Sequence, residues 1–312
     1  MFEEAVRAFT ISYDVLNEAN TFWGGELLTG RVVVEAANEL RAESLDLSVR
    51  GVGETRWSEK DGDETLHYSA SATYFKVKQL LIQKTPVCEC GNNGVVIPPG
   101  CHVYQFALQI PQMDLPSSFA GAHGKVRYFL KAKLHRPWHL ASRAEKEFTV
   151  VRHIDINLPD LLSQQLGSKE KTLGCLCCTS GPIILNARIE RKGYTPGDFI
   201  RVFTEVENGS SREVRPKVAL QQLQTFHAQG KTKCVPKRIA SLEGPPVGGR
   251  RRDAWSGGVL HIPPDTPISL LNCALMSVEY SVVVYVDIPR AFDIEVTFPV
   301  VIGTIPLHNP VY

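Results

Sequence analysis

Lys125-Val126-Arg127-Tyr128-Phe129-Leu130-Lys131-Ala132-Lys133-Leu134-His135 decides the fold class of this chain. Val126, Tyr128, Leu130, Ala132 and Leu134 alternate with Lys125, Arg127, Lys131, Lys133 and His135, and only Phe129 breaks the pattern. A period of two is the strand repeat, with one buried face and one wet face. The same alternation appears upstream, where Phe9, Ile11, Tyr13 and Val15 interleave with Thr10, Ser12 and Asp14. Downstream, Val282 to Val286 and Val296 to Ile302 are rich in β-branched residues and are expected as strands buried on both faces. One stretch, 159–170, is expected as a short helix. Gaps such as Gly91-Asn92-Asn93-Gly94 and Gly244-Pro245-Pro246-Val247-Gly248-Gly249 carry turn chemistry. Many short strands with frequent turns predict an all-β chain built as sandwiches.

A length of 312 residues suits about two domains, and 43% apolar residues suffice for two cores. The net charge of +1 provides no bulk attraction to nucleic acid, so no nucleic-acid partner is expected. No apolar run approaches the roughly 20 residues of a membrane span. The start, Met1-Phe2-Glu3-Glu4-Ala5-Val6-Arg7, lacks the basic and apolar segments of a secretory signal. Phe2 stands where myristoylation needs glycine. The expected compartment is the cytosol, where the eight cysteines stay reduced.

The chain also repeats itself. Arg31-Val32-Val33-Val34-Glu35-Ala36-Ala37-Asn38 matches Arg201-Val202-Phe203-Thr204-Glu205-Val206-Glu207-Asn208 at an offset of 170 (31 to 201). Ile97-Pro98-Pro99 returns as Ile262-Pro263-Pro264 at an offset of 165 (97 to 262). Two ordered matches predict two copies of one sandwich. The expected division is a first sandwich over 1–151, a hinge over 152–180, a second sandwich over 181–306 and a short tail over 307–312.

Several clusters have a chemical reading beside a structural one. Cys175, Cys177 and Cys178 lie in the expected hinge. Their spacing is poor for zinc, which wants paired CxxC ligands. They suit either S-acylation or small apolar packing. Lys125, Arg127, Lys131 and Lys133 on one strand face suit phosphates or acidic tails, or a solvated face that discourages aggregation. Arg250, Arg251 and Arg252 are expected in a Gly-rich loop, with Lys231, Lys233, Lys237 and Arg238 upstream. They suit anionic lipid or plain solvent. The tail Asn309-Pro310-Val311-Tyr312 holds one proline of the Pro-Pro-x-Tyr ligand of WW domains, and an Asn-Pro-x-Tyr turn signal. No histidine sits at HExxH spacing, no GxSxG elbow occurs, and no Gly-rich cradle carries a following Lys. No catalytic residue, cofactor or metal is expected.

Longer stretches together resemble the α-arrestin family. They are Phe9-Thr10-Ile11-Ser12-Tyr13-Asp14, Val49-Arg50-Gly51 with Arg56-Trp57, and Ile97-Pro98-Pro99-Gly100 running to Ile110-Pro111. Leu115-Pro116-Ser117-Ser118-Phe119, Gly124 to Tyr128, and Arg136-Pro137-Trp138 follow. The second half adds Ser180-Gly181-Pro182-Ile183, Gly193-Tyr194-Thr195-Pro196-Gly197-Asp198 and Pro299-Val300-Val301-Ile302-Gly303-Thr304. The resemblance implies two arrestin-type β-sandwiches and a non-enzymatic adaptor for membrane receptors or transporters. Such adaptors bind cytosolic tails of cargo and recruit WW-domain, HECT-type ubiquitin ligases for endocytosis and endosomal sorting. The implied location is cytoplasmic, peripheral at plasma membrane and endosomes. Pro-Pro-x-Tyr is absent from these 312 residues, and the first strand, Thr10 to Leu16, has no lysine for sensing phosphate. The alternative is a structural subunit of a trafficking coat, like the arrestin-fold component of retromer.

Overall fold

The computed structural model describes residues 5–83, 94–173 and 181–308. The chain divides into two compact units, one built from Met1–Arg152 with Ala228–Lys231 and the other from His153–His227 with Thr232–Tyr312.

The first unit contains β1 (Val6–Tyr13), β2 (Thr21–Phe22), β3 (Leu27–Ala36), β4 (Leu40–Ala42), β5 (Ser44–Asp61), β6 (Glu64–Ile82), β7 (Val95–Ile97), β8 (Gly100–Gln109), β9 (Phe119–Ala120), β10 (Gly124–His135) and β11 (Ser142–Val150). One sheet has the order β1-β3-β8 and the other β2-β11-β10-β5-β6, with β9 on β10 and a small β4-β7 pair. All pairings are antiparallel except β2 on β11. As the alternation requires, Val126, Tyr128, Leu130, Ala132 and Leu134 are buried. Val32 and Val34 of β3, Leu47 and Val49 of β5, and Phe106 and Leu108 of β8 are buried as well and complete the core. An aromatic cluster fills one end, with Phe22 edge-on to Tyr13 at 5.7 Å and to Phe148 at 5.6 Å. Burying side chains of this kind supplies roughly 1.5–3 kcal/mol each.

The second unit contains α1 (Pro159–Leu162), β12 (Gln165–Thr172), β13 (Pro182–Ile189), β14 (Gly193–Tyr194), β15 (Phe199–Asn208), β16 (Arg215–Ala228), β17 (Lys231–Glu243), β18 (Arg251–His261), β19 (Met276–Asp287) and β20 (Ile294–Ile302). Its sheets run β12-β13-β15-β18 and β14-β20-β19-β16-β17. The expected all-β, two-sandwich architecture is thus present. Three details differ from expectation. Helix α1 is a single turn, and 165–170 extends as a strand that pairs with β13. Gly167 explains this, because a Cβ there would collide with Val296 Cγ1, so the bare backbone lies directly on β20. The span 152–180 therefore holds an edge strand of the second unit as well as a connection. Finally, Val296 to Ile302 alternates, since Thr297 and Pro299 are exposed, whereas Val282, Val283 and Val284 are buried in sequence.

The duplication is real, but one of its sequence markers was misaligned. β3 and β15 do correspond, each being flanked by an earlier strand (β1, β13) and a later one (β8, β18). Ile97-Pro98-Pro99, however, leads into β8, whereas Ile262-Pro263-Pro264 leaves β18. The true counterpart of Ile262 is Ile110, at an offset of 152 (110 to 262). Both are fully buried just beyond the equivalent strands. The same offset takes β10 onto β19 (124 to 276) and β11 onto β20 (142 to 294) at both ends. Polar devices repeat with it. Tyr128 Oη donates to Pro116 O at 2.6 Å, and Tyr280 Oη donates to Pro267 O at 2.6 Å. The Val150 amide donates to Ser118 Oγ at 3.0 Å, and the Ile302 amide to Ser269 Oγ at 2.9 Å. Prolines in turns look alike in sequence, and only strand order shows which turn each one occupies.

Candidate interaction surfaces

The outer face of β10 carries the four cations singled out in the sequence, but they are not equivalent. Lys125 pairs with Glu54 at 3.5 Å. Arg127 reaches Glu145 at 2.8 Å and Glu147 at 2.9 Å, and Lys131 reaches Glu145 at 3.0 Å. These carboxylates come from the neighbouring strands, where the register sets Glu145 opposite Lys131 and Glu54 opposite Lys125. Partial burial opposes ionisation of Glu145. The hydrogen bond and charge of Lys131, together with those of Arg127, outweigh it and hold the carboxyl below its ordinary range. These three cations are thus largely neutralised on the protein itself.

Lys133 differs. Opposite it in register is Asp46, whose carboxylate lies 3.1 Å from His135. Farther along the same face, the register aligns Arg50 with Lys76 and Ser48 with Lys78. Arg50, then Lys78, then burial and Lys133 all make a further positive charge on Lys76 unfavourable, so its pKa lies below the usual lysine value. Arg50 Nε is buried without a hydrogen-bond partner. Arg50, Lys76, Lys78 and Lys133 thus form a patch of like charge. The sequence reading captured Lys133 and missed the other three, which are brought alongside by a β5–β6 hairpin whose register cannot be read from β10.

The arginine triplet is not a loop. Arg250 sits in the preceding turn with φ of 57°, while Arg251 and Arg252 open β18. Arg252 Nε donates to Glu205 Oε1 at 2.8 Å, with Nη2 at 2.7 Å, so that cation is paired across the sheet. Lys231, Lys233, Lys237 and Arg238 lie on β17. Cys175, Cys177, Cys178, Asn309, Pro310 and Tyr312 lie outside the described residues.

A further recess was not foreseen. On the outer face of the β12-β13-β15-β18 sheet, an open cavity of about 560 Å³ is lined by Leu166, Asn186, Arg188, Phe203 and Ala254 among others. Arg188 and Phe203 are in register on β13 and β15, and the guanidinium lies 4.0 Å from the ring centroid. Such a pair is invisible in sequence, where its members are 15 positions apart (188 to 203).

Among the described residues, no group of three or more His, Cys, Asp or Glu is placed to hold a metal ion. Among the described residues, no helix is long and apolar enough to cross a membrane. The two most perturbed titrating groups are structural. Burial pushes the hydroxyls of Tyr194 and Tyr280 up to about 12, and Tyr280 is buried in a hydrogen-bonded pair with Gln222 at 2.6 Å.

Comparison with known proteins agrees with this geometry. Residues 9–157 match the family model described as Arrestin (or S-antigen), N-terminal domain, and 179–307 match its C-terminal counterpart. Over 284 residues the chain is 38% identical to Arrestin domain-containing protein 4 of Mus musculus, covering 90% of the chain and 68% of that protein. The human protein of the same name is 37% identical over 287 residues, covering 91% and 68%. Thioredoxin-interacting protein of Homo sapiens is 32% identical over 311 residues, covering 97% of the chain and 76% of that protein.

Proposed function

Because this chain belongs to the α-arrestin family, the arrestin domain-containing proteins, we propose that it is a non-enzymatic adaptor. It binds cytosolic tails of membrane receptors or transporters and links them to ubiquitin-ligase-dependent endocytosis and endosomal sorting. The carrying observation is the match to both arrestin domain models together with relatives spanning nearly the whole chain. The geometry supports the binding half of this reading. Each unit presents a broad outer sheet face, and the first unit presents a face where Arg50, Lys76, Lys78 and Lys133 are crowded and, among the described residues, none of them is ion-paired. Such a face favours acidic segments through charge-assisted hydrogen bonds. Strand edges offer a second mode, in which an extended tail adds to a sheet.

Capture of immobilised cytosolic tails by the purified chain tests the binding half. Charge reversal at Lys76, Lys78 and Lys133 is expected to abolish capture of acidic tails, whereas reversal at Lys125 alone leaves most of it. Unchanged capture in the triple variant removes this face from the reading. Titration of WW domains from HECT-type ligases into the chain, beside Tyr312→Ala, tests the ligase half. Binding abolished by Tyr312→Ala assigns recruitment to Asn309-Pro310-Val311-Tyr312. No binding leaves a cargo-binding body that takes its ligase from elsewhere.

A further inference from the structure

The β10–β11 hairpin ends in Arg136-Pro137-Trp138-His139-Leu140, and its tip is unusual. Trp138 is 101% exposed and Leu140 93% exposed. Neither side chain is packed against the described residues, so their folding does not account for a large apolar pair there. Trp138 has φ of 61°, a backbone conformation costlier for a bulky residue than for Gly or Asn. The corresponding turn of the second unit, Pro289-Arg290-Ala291, has φ of 60° at Arg290. The backbone bend therefore belongs to the hairpin, and the choice of tryptophan at its apex belongs to something else. The turn is fixed from within, with His139 Nδ1 2.7 Å from Pro137 O and the His139 amide donating to Arg136 O.

Cations ring the base of the tip. Lys133 and Arg143 are directly opposite each other on β10 and β11, and Arg136 follows β10. None of the three has a carboxylate partner among the described residues, and Arg136 Nε is buried without any partner. Glu39 and Glu43 line the recess on one side of the loop, with Arg41 between them. A protein partner would need a patch near 800 Å² on each side, and a convex turn with two protruding side chains offers far less. An apolar apex over a cationic collar fits a bilayer instead. Tryptophan partitions to the headgroup level, a short aliphatic chain enters below it, and Lys and Arg meet anionic headgroups.

We propose that Trp138 and Leu140 insert into an anionic membrane surface, with Lys133, Arg136 and Arg143 contacting lipid phosphates and carboxylates. This rests on the reading of the chain as an adaptor working at membranes, and it names the segment of the first unit that touches lipid. The test uses the full chain and vesicles of phosphatidylcholine alone or mixed with phosphatidylserine. Expected is sedimentation with the mixed vesicles, weakened by salt, and quenching of tryptophan emission by spin-labelled lipid. Trp138→Ala with Leu140→Ala is expected to weaken vesicle binding by about tenfold or more. Trp138→Phe is expected to keep binding and lose the quenching. Cargo-tail capture in solution, measured on the same variants, is expected to be unchanged, so failure of lipid binding and failure of the adaptor reading are separable. Vesicle binding that survives the double substitution overturns the proposal. So does an absence of vesicle binding, including the case in which the double substitution weakens tail capture and the tip is a protein contact.

Discussion

Set side by side, the two sandwiches agree on their inner faces and part company on their outer ones. On the central strands, Val126, Tyr128, Leu130, Ala132 and Leu134 of β10 correspond to Val278, Tyr280, Val282, Val284 and Val286 of β19, and all ten are buried. The outward residues of β10 include Lys125, Arg127, Lys131 and Lys133. The positions of β19 at the same offset are Ser277, Glu279, Val283 and Tyr285, of which Val283 is itself buried. Hairpin tips diverge in the same way. Trp138 in the first unit corresponds to Arg290 in the second, and Leu140 corresponds to Phe292, over whose ring Lys171 Nζ lies at 5.6 Å. Interior packing tolerates only changes that conserve volume and shape. The outer faces are free of that constraint, so they are where two copies of one fold acquire separate tasks.

The comparison can be broken first at its core. Leu130→Ala is expected to destabilise the first unit by about 3 kcal/mol, and Val282→Ala the second by a smaller amount. Denaturant unfolding of the full chain, with hydrogen exchange to assign the weakened unit, checks both. A loss shared equally by the two units would mean that they do not have separate cores. Next come the paired tyrosines. Tyr128→Phe removes one hydrogen bond to Pro116 O and should cost about 1 kcal/mol. Tyr280→Phe removes the bond to Pro267 O and also strands Gln222 Nε2, so about 2 kcal/mol is expected. Equal costs would show that the Gln222 contact contributes nothing.

Smaller effects probe the outer faces. The Glu145 carboxyl has a lower pKa folded than its ordinary value of 4.5. Its ion pairs therefore stabilise the first unit fully above that value, and the contribution is lost as pH falls through the folded pKa. Glu145→Gln should flatten that part of the acid-unfolding curve. The change should be slight, because the face is open to water. Smallest of all, Arg50→Gln should raise the pKa of Lys76 toward its ordinary value, readable by NMR titration of the side chain. An unmoved Lys76 would mean that Arg50 is not the main source of the crowding.

Much of this fold is legible in the sequence. The inner face of β10 was read residue by residue, because alternation records which side of a strand meets the core. The β3–β15 match located the duplication. Reading failed wherever different structures share a composition. Ile-Pro-Pro marks the entry to one strand and the exit from another. The stretch from Gln165 to Thr172 is too polar to announce an edge strand, and Gly167 gives its reason only once Val296 lies beneath it. The cationic face was half seen, since Lys133 is on the strand that was read and Arg50, Lys76 and Lys78 are not.

By itself, then, the sequence determined the all-β class, the two-fold repeat and the inward residues, because these follow from local periodicity and composition. Tertiary structure alone decided which cations are neutralised and which are crowded, which strand completes the second unit, and that Trp138 stands uncovered. Each of those outcomes depends on cross-strand register between residues far apart in the chain. Register is set by the packing of whole sheets, and no short stretch of sequence contains it.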